Sequence, residues 1–361
     1  MRSKRWPSLK WGRHPKHCIW KMLKLLGIIL VLMVLIIPIR NAILQFVLPG
    51  MWLEHSSLFL LKVLLDNQRL PVSETPLGES PIQLKINLDD IKSKFTSREK
   101  AYSKYYERVS YLKQESDVAA SEELTELLKF QPMMSEYERA VAFFTLDTFI
   151  QACEAANLTY FLISGSLLGS VRHHGMIPWD DDIDIILNAT QWHRVRNVLG
   201  NIQGFELFSP DKVQWKFFMS SLPKGNRPFK WPNLDLFFFN EDETHIWAQT
   251  WGAKASLCSK KTDIFPLGRR KFELWNMPVP RTSRALVAAE FGEFSSACKT
   301  ASYVHKTNVA YPSTSLFDVD CHRLHHVFPF VFLERGKPGT VNELRKVGGQ
   351  LVENISLIPE V

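Results

Sequence analysis

The spacing of hydrophobic and polar positions changes several times along the chain. Leu25 to Ile39 is a run of 15 uncharged, almost wholly aliphatic residues. As a helix it spans roughly 22 Å at about 1.5 Å per residue, against about 27 Å of hydrocarbon in an ER-type bilayer. Lys24 and Arg40 flank it and can snorkel outward. This predicts a transmembrane anchor over residues 25–41. A polar, Pro-containing stretch (Val72 to Pro81) and a charged run (Ser97 to Lys129) follow. Within the charged run Tyr102, Tyr105, Tyr106, Val109 and Leu112 recur at helical spacing, as in a solvated helix that packs one aromatic stripe. Residues 42–130 therefore read as a stem.

From about Ser135 the pattern is that of a compact domain. Ser135-x-x-Glu138 is a capping-box signature, and the helix it opens runs to about Ala156 with Val141, Phe144, Leu146, Phe149 and Ile150 on its apolar face. Short apolar runs then predict strands at Tyr160–Ile163, Asp182–Leu187, Phe217–Met219 and Leu234–Phe239, with a helix over Gly165–His174. Interleaved helices and strands make an α+β layer fold. The main domain is expected over residues 131–310, with 311–361 continuing it.

Charge sets the expected topology. No acidic residue precedes Glu54, whereas Arg2, Lys4, Arg5, Lys10, Arg13, Lys16, Lys21, Lys24 and Arg40 do. The positive-inside rule makes residues 1–24 a cytosolic tail and the remainder luminal, a single-pass type II arrangement. A cleaved signal peptide fits less well, because no A-x-A site follows Ile39; a mitochondrial presequence would be amphipathic rather than uniformly apolar. The net charge of +7 is thus partly a property of the N-terminus, and no nucleic-acid partner is expected. Sequons at Asn157, Asn188 and Asn354 fit a luminal face. The five cysteines form no CxxC. Cys153, Cys258, Cys298 and Cys321 are free to pair in an oxidising lumen, in a connectivity left open. Cys321-His322 with His325-His326 superficially suggests zinc, but tetrahedral sites use separated ligand pairs.

The candidate chemistry lies between Ile163 and Leu187, ISGSLLGSVRHHGMIPWDDDIDIIL. Read as a strand, its end places Asp180, Asp182 and Asp184 on one face and Asp181 on the other, where it should matter little to chemistry. Carboxylates at i and i+2 suit a hard cation, Mg²⁺ or Mn²⁺, which neutralises phosphate oxygens. Gly165 and Ser166 stand where a strand turns into a helix, a place for a phosphate to approach the backbone. Gly-Ser followed by D-x-D on the next strand outlines the nucleotidyltransferase fold of DNA polymerase β. Asp235, in the apolar run LDLFFF, is the further carboxylate, held by metal or by a salt bridge. Arg172 and Lys216 are candidate donor-phosphate ligands, Arg172 alternatively a brace for the carboxylates. His173 is a candidate base.

Gly165 to Leu187 resembles the LicD family motif G-T-L-L-G-x-x-R-H-x-x-x-I-P-W-D-D-D-x-D, with Ser166 for Thr. Leu234–Phe239, Ile264–Leu267, Met277–Pro280 and Glu290–Gly292 look like the fukutin branch. The resemblance implies a polymerase-β-like transferase with metal on Asp180, Asp182, Asp184 and Asp235, of which Asp182, Asp184 and Asp235 are catalytic. It implies a CDP-linked donor, CDP-choline or CDP-ribitol, a glycan or glycoprotein acceptor, a Golgi or ER membrane location and complexes with other Golgi glycosyltransferases. Asn233 stands where some fukutins have Asp, and nothing past Ala301 carries the likeness. A non-catalytic glycan-binding or scaffolding protein is the alternative, and phosphocholine the alternative cargo. For a trimethylammonium donor, Trp179, Trp231, Trp247 and Trp251 are candidate cage residues.

Overall fold

In a computed structural model the described residues are 69–96, 101–250, 252–255 and 257–358, with Phe59, Lys62, Val63 and Asp66. The expected tail and anchor, 1–41, lie outside them. Among the described residues no helix is long and apolar enough to cross a membrane.

Among the described residues, a short helical turn at Ile91–Phe95 is followed by three α-helices, α1 (Ser103–Leu112), α2 (Val118–Lys129) and α3 (Glu136–Ala155). The capping box forms as read: the Ser135 backbone N–H donates to Glu138 Oε2 at 2.8 Å and the Glu138 N–H to Ser135 Oγ at 3.3 Å. Strand β1 (Tyr160–Leu162), helix α4 (Ser164–Arg172), strand β2 (Asp184–Asn188) and helix α5 (Trp192–Leu199) follow. Then come β3 (Phe205–Phe208), β4 (Trp215–Met219), β5 (Leu234–Glu241), β6 (His245–Ala248) and β7 (Cys258–Lys260).

These seven strands form one mixed sheet. Its path is β1-β2-β5-β4-β3, with β6 added to β5 and β7 to β6. Only β2 and β5 run parallel; the other pairs are antiparallel. Period-2 alternation explains why both faces are apolar. Leu162, Ile185, Leu187, Leu234, Leu236 and Phe238 join one core with α3 and α5. Phe161, Ile186, Phe239 and Ile246 join a second core on the opposite face. Asp184 and Asp235 share the parity of that second face, at its end.

After the sheet come the hairpin β8 (Gly268–Phe272) and β9 (Trp275–Val279), then helix α6 (Ser283–Phe291). Strands β10 (Ala297–Lys299) and β13 (Asp318–Asp320) pair with each other and enclose a small hairpin, β11 (Tyr303–Val304) and β12 (Val309–Ala310). A meander, β14 (Phe330–Arg335), β15 (Val341–Val347) and β16 (Gln350–Leu357), ends the chain.

The stem boundary at 130 is not a boundary in the packing. Leu70, Val72, Phe95, Tyr105, Leu127 and Phe130 belong to the main core. Tyr105 stacks on Phe328 with centroids 5.1 Å apart. The charged run looked detached because α1 and α2 each bury only a narrow stripe, which charge-rich composition masks. Residues 311–361 tie back through Glu343 on β15, whose carboxylate meets His174 Nε2 at 2.9 Å, Arg284 at 3.0 Å and the Arg270 guanidinium. Burial disfavours that anion, but His174, Arg270 and Arg284 outweigh it and hold its pKa down at about 2. The folded pKa lies below the ordinary value of 4.5, so this stabilisation is present above about pH 4.5 and fades as pH falls toward 2. Glu343→Gln removes the buried carboxylate that Arg270, Arg284 and His174 share and should destabilise the fold by about 3–5 kcal/mol at neutral pH. In thermal unfolding the deficit should shrink as pH is lowered from 6 to 3; a pH-independent deficit would rule out the ionic account.

Candidate active site

Strand register assembles the first half of the site. In the parallel pair Asp184 lies opposite Asp235; in the antiparallel pair Lys216 lies opposite Asp235. Strands are about 4.8 Å apart, so Asp184, Asp235 and Lys216 form a row on one face. Lys216 is ion-paired to Asp235, and Asn233 Nδ2 donates to the other Asp235 oxygen at 2.6 Å. Lys216 is therefore the partner of Asp235, the salt-bridge reading of that carboxylate, and is buried rather than held out for a donor.

The loop before β2 supplies the second half. Strand β2 begins at Asp184, so Asp180, Asp181 and Asp182 lie in the preceding loop and strand alternation does not orient them. Asp180, Asp182 and Asp184 nevertheless converge on one cavity of about 580 Å³. Burial, then the neighbouring carboxylates, pushes all three well above the usual carboxylate range. At the cavity head, Ser164 enters α4 with φ +49° and donates from its hydroxyl to Glu290 at 3.1 Å. A Cβ on Gly165 would lie 3.1 Å from Asp180 Oδ2, so glycine lets the helix start approach the carboxylates. Ser166 faces inward: its hydroxyl accepts from the Asp184 N–H at 2.8 Å, fixing where β2 begins.

Asp181 is not idle. Its carboxylate, 1% exposed, accepts from the His305 N–H at 3.0 Å, the Lys306 N–H at 2.8 Å and His305 Nδ1 at 3.0 Å. From the outer side the Arg227 guanidinium donates to the carbonyls of His305 at 2.7 Å and Lys306 at 2.8 Å. The turn between β11 and β12 is thus held from both sides, and its imidazole Nε2 comes 3.1 Å from Asp182 Oδ2. Burial opposes a charged ring there. The Asp181 hydrogen bond and the charges of Asp182 and Asp235 outweigh it and raise the His305 pKa to about 9.

Asp182, Asp235 and His305 present ligand atoms within 4.8 Å of one another, a group able to hold a metal ion. The donor set fits: two carboxylate oxygens and an imidazole nitrogen suit a divalent cation. Among the described residues, Asp180 and Asp184 have no cationic side chain within salt-bridge distance, so the cluster still carries uncompensated charge.

The remaining candidates resolve individually. Arg172 lines the cavity, donates to the carbonyls of Phe294 at 3.2 Å and Ala297 at 3.5 Å, and sits over the Trp179 ring. Burial pulls its pKa down to about 10, with Asp180 opposing. His173 cannot serve as base: its Nδ1 bonds the Pro329 carbonyl at 2.6 Å and its Nε2 accepts from Arg172 Nε at 2.9 Å. Cys321 is bonded to Cys298, which removes it from any zinc set. Cys153 and Cys258 are buried thiols. The tryptophans do not form one cage. Trp179 lines the cavity, the Trp231 indole donates to the Asp181 carbonyl at 3.1 Å, Trp247 bonds Asp66, and Trp251 lies outside the described residues.

Residues 157–282 match the nucleotidyltransferase domain of the LicD/FKTN/FKRP family. The chain carries a LicD-family domain. Over 53 residues it is 43% identical to the lipopolysaccharide cholinephosphotransferase LicD of Haemophilus influenzae, 15% of this chain and 20% of that protein. Over 38 residues it is 62% identical to a Rickettsia prowazekii protein, 10% of this chain and 14% of that one. The matched stretches span about a fifth or less of these relatives' own lengths. The LicD match takes in α4, the carboxylate loop, β2, β4 and β5. His305 and its hairpin lie beyond it.

Asp181→Asn replaces one acceptor oxygen with an amide that faces backbone N–H groups. The hairpin should loosen, with a stability loss of about 1–3 kcal/mol and about tenfold weaker Mn²⁺ binding. Thermal unfolding and an electron paramagnetic resonance titration of Mn²⁺ measure the two; undiminished Mn²⁺ affinity would show that His305 needs no such support.

Proposed function

We propose that this chain is a metal-dependent phosphotransferase. It moves an alditol phosphate, of the ribitol-phosphate kind, from a CDP-linked donor to a hydroxyl of a glycoprotein glycan in the Golgi or ER lumen. The observation that carries the reading is the carboxylate cluster, with Asp180 and Asp184 uncompensated, at the start of α4 in a large cavity. A binding module has no evident use for several desolvated anions in contact. A cation held by Asp182, Asp184 and Asp235, with Asp180 and His305 beside them, would neutralise phosphate oxygens; Mg²⁺ or Mn²⁺ is the choice their oxygens favour.

The chain's own residues have distinct parts. Gly165 opens the backbone to the donor phosphates, Arg172 faces them across the cavity, and Lys216 holds Asp235 in place. The acceptor oxygen attacks phosphorus and a new P–O bond forms. The bond to the bridging pyrophosphate oxygen breaks, CMP departs with that electron pair, and the hydroxyl proton passes to a carboxylate of the cluster.

Phosphocholine is the second reading. Trp179, Phe291, Phe294 and Phe317 line the same cavity, an aromatic wall suited to a trimethylammonium head. A screen of CDP-ribitol, CDP-glycerol and CDP-choline separates the two. With any accepted donor, Asp182→Asn and Asp184→Asn should each lower transfer by about 10²-fold or more, with thermal stability unchanged or raised as like-charge repulsion is relieved. Chelation should abolish transfer and Mn²⁺ restore it. Full transfer by Asp182→Asn, or indifference to the chelator, would bring the non-catalytic scaffold reading forward.

The luminal assignment has support of its own. Cys298–Cys321 is a disulfide, and such bonds persist in oxidising compartments. Asn157 and Asn354 are exposed, whereas the half-buried Asn188 donates its amide to Glu241 at 2.9 Å. Endoglycosidase should therefore shift the protein by two glycans, one lost in Asn157→Gln and one in Asn354→Gln, with Asn188→Gln unchanged. No shift, together with protease-accessible C-terminal domains in sealed microsomes, would contradict the type II arrangement.

A further inference from the structure

The row Asp184–Asp235–Lys216 connects two cavities. Asp184 lines the cavity of about 580 Å³, and Lys216 lines a second of about 470 Å³. Tyr303 and His305 line both, so the β11–β12 hairpin is the wall between them. The Asp182–Asp235–His305 group stands in that wall. Displacement at phosphorus places the attacking and leaving oxygens roughly in line on opposite sides of the phosphorus. A phosphorus held at the wall, with its nucleotide in the first cavity, therefore presents its attacked side to the second.

We propose that the second cavity is the acceptor subsite and that it takes a neutral, hydroxyl-rich glycan end or polyol. The word acceptor rests on the transferase reading; the binding does not. The chemistry of the lining selects the ligand class. Its cations are committed, Lys216 to Asp235 and Arg227 to the carbonyls of His305 and Lys306. An anion would have to compete for those donors. The side-chain amides retain capacity. Asn308 Oδ1 accepts from the Tyr303 hydroxyl at 2.7 Å, which leaves its NH₂. Asn233 spends its NH₂ on Asp235, which leaves its oxygen. Gln214, half-buried in the same lining, offers both. Donors and acceptors presented together match hydroxyl groups, which do both. The wall is preformed, because Asp181 grips the hairpin turn from one side and Arg227 from the other.

Saturation-transfer NMR on the full-length chain tests this without turnover. The probes are methyl β-galactoside, ribitol, glycerol 3-phosphate and CDP with Mn²⁺. Gln214→Trp and Val213→Trp narrow the second cavity, Val213 from its exposed rim. Leu316→Trp narrows the first from its rim. Circular dichroism identifies which variants fold, and two variants guard against the loss of one. At least one neutral probe should bind the parent, weaken tenfold or more in Gln214→Trp and Val213→Trp, and hold within twofold in Leu316→Trp. CDP should show the reverse. The proposal is overturned if no neutral probe binds the parent, if the two second-cavity variants leave binding unchanged, or if glycerol 3-phosphate alone binds there. A parent that binds a neutral probe in this cavity but neither CDP nor Mn²⁺ would reject the transferase reading while the subsite stands.

Discussion

Everything in this site follows from the difficulty of bringing carboxylates together out of water. Each one desolvates its neighbours and repels them, and burial leads the shift of Asp180, Asp182 and Asp184 toward the protonated form. Such a cluster persists only if something rigid holds it and something positive faces it. Rigidity comes from the parallel register of β2 and β5, which no side-chain rearrangement can alter. Positive charge comes from Lys216 and from His305, one on an adjacent strand and one on a hairpin from far along the chain. These two groups neutralise one side of the cluster. The other side is open to the cavity, where a divalent cation would complete the compensation.

The readable part of the site was local. Ser166, Asp182 and Asp184 lie within one strand–helix–strand stretch, and their spacing carried both the fold class and the carboxylate cluster. Asp235 was readable for a different reason: a carboxylate in LDLFFF has no apolar explanation and must have a partner. The partner proved to be Lys216, one strand away, as strand pairing decides and linear spacing cannot. Strand alternation does not orient Asp181, because the strand begins only at Asp184. In a loop, direction is set by what the side chain grips, and Asp181 grips the turn at His305 and Lys306.

His305 carries no motif signal of its own. A lone histidine in SYVHK is more than a hundred residues from the motif, outside the LicD match at 157–282, and without periodicity. The one hint was the pair Cys298 and Cys321, which bracket it. Their bond closes a loop with a sequence separation of 23, a restraint of roughly 3 kcal/mol on the unfolded chain. Residues 70–130 were hidden by the opposite effect. Their composition is that of a solvated stem, yet single residues such as Tyr105 and Phe130 reach the core.

A histidine delivered by a two-strand hairpin poses a problem that the strand carboxylates do not. A hairpin with two residues in each strand is marginal alone, so its position must be imposed from outside. Apolar packing is a poor means here, because Tyr303 and His305 line cavities rather than a packed core. Backbone hydrogen bonding to charged side chains is a better one: the buried Asp181 takes the N–H groups and the half-buried Arg227 the carbonyls of the same two residues. At the His305–Lys306 peptide the two charges act on opposite ends of one dipole, so each strengthens the geometry the other selects. The middle aspartate of the D-D-D run is thereby spent on a wall rather than on the cluster. That division accounts for four acidic residues between 180 and 184 when only three line the cavity.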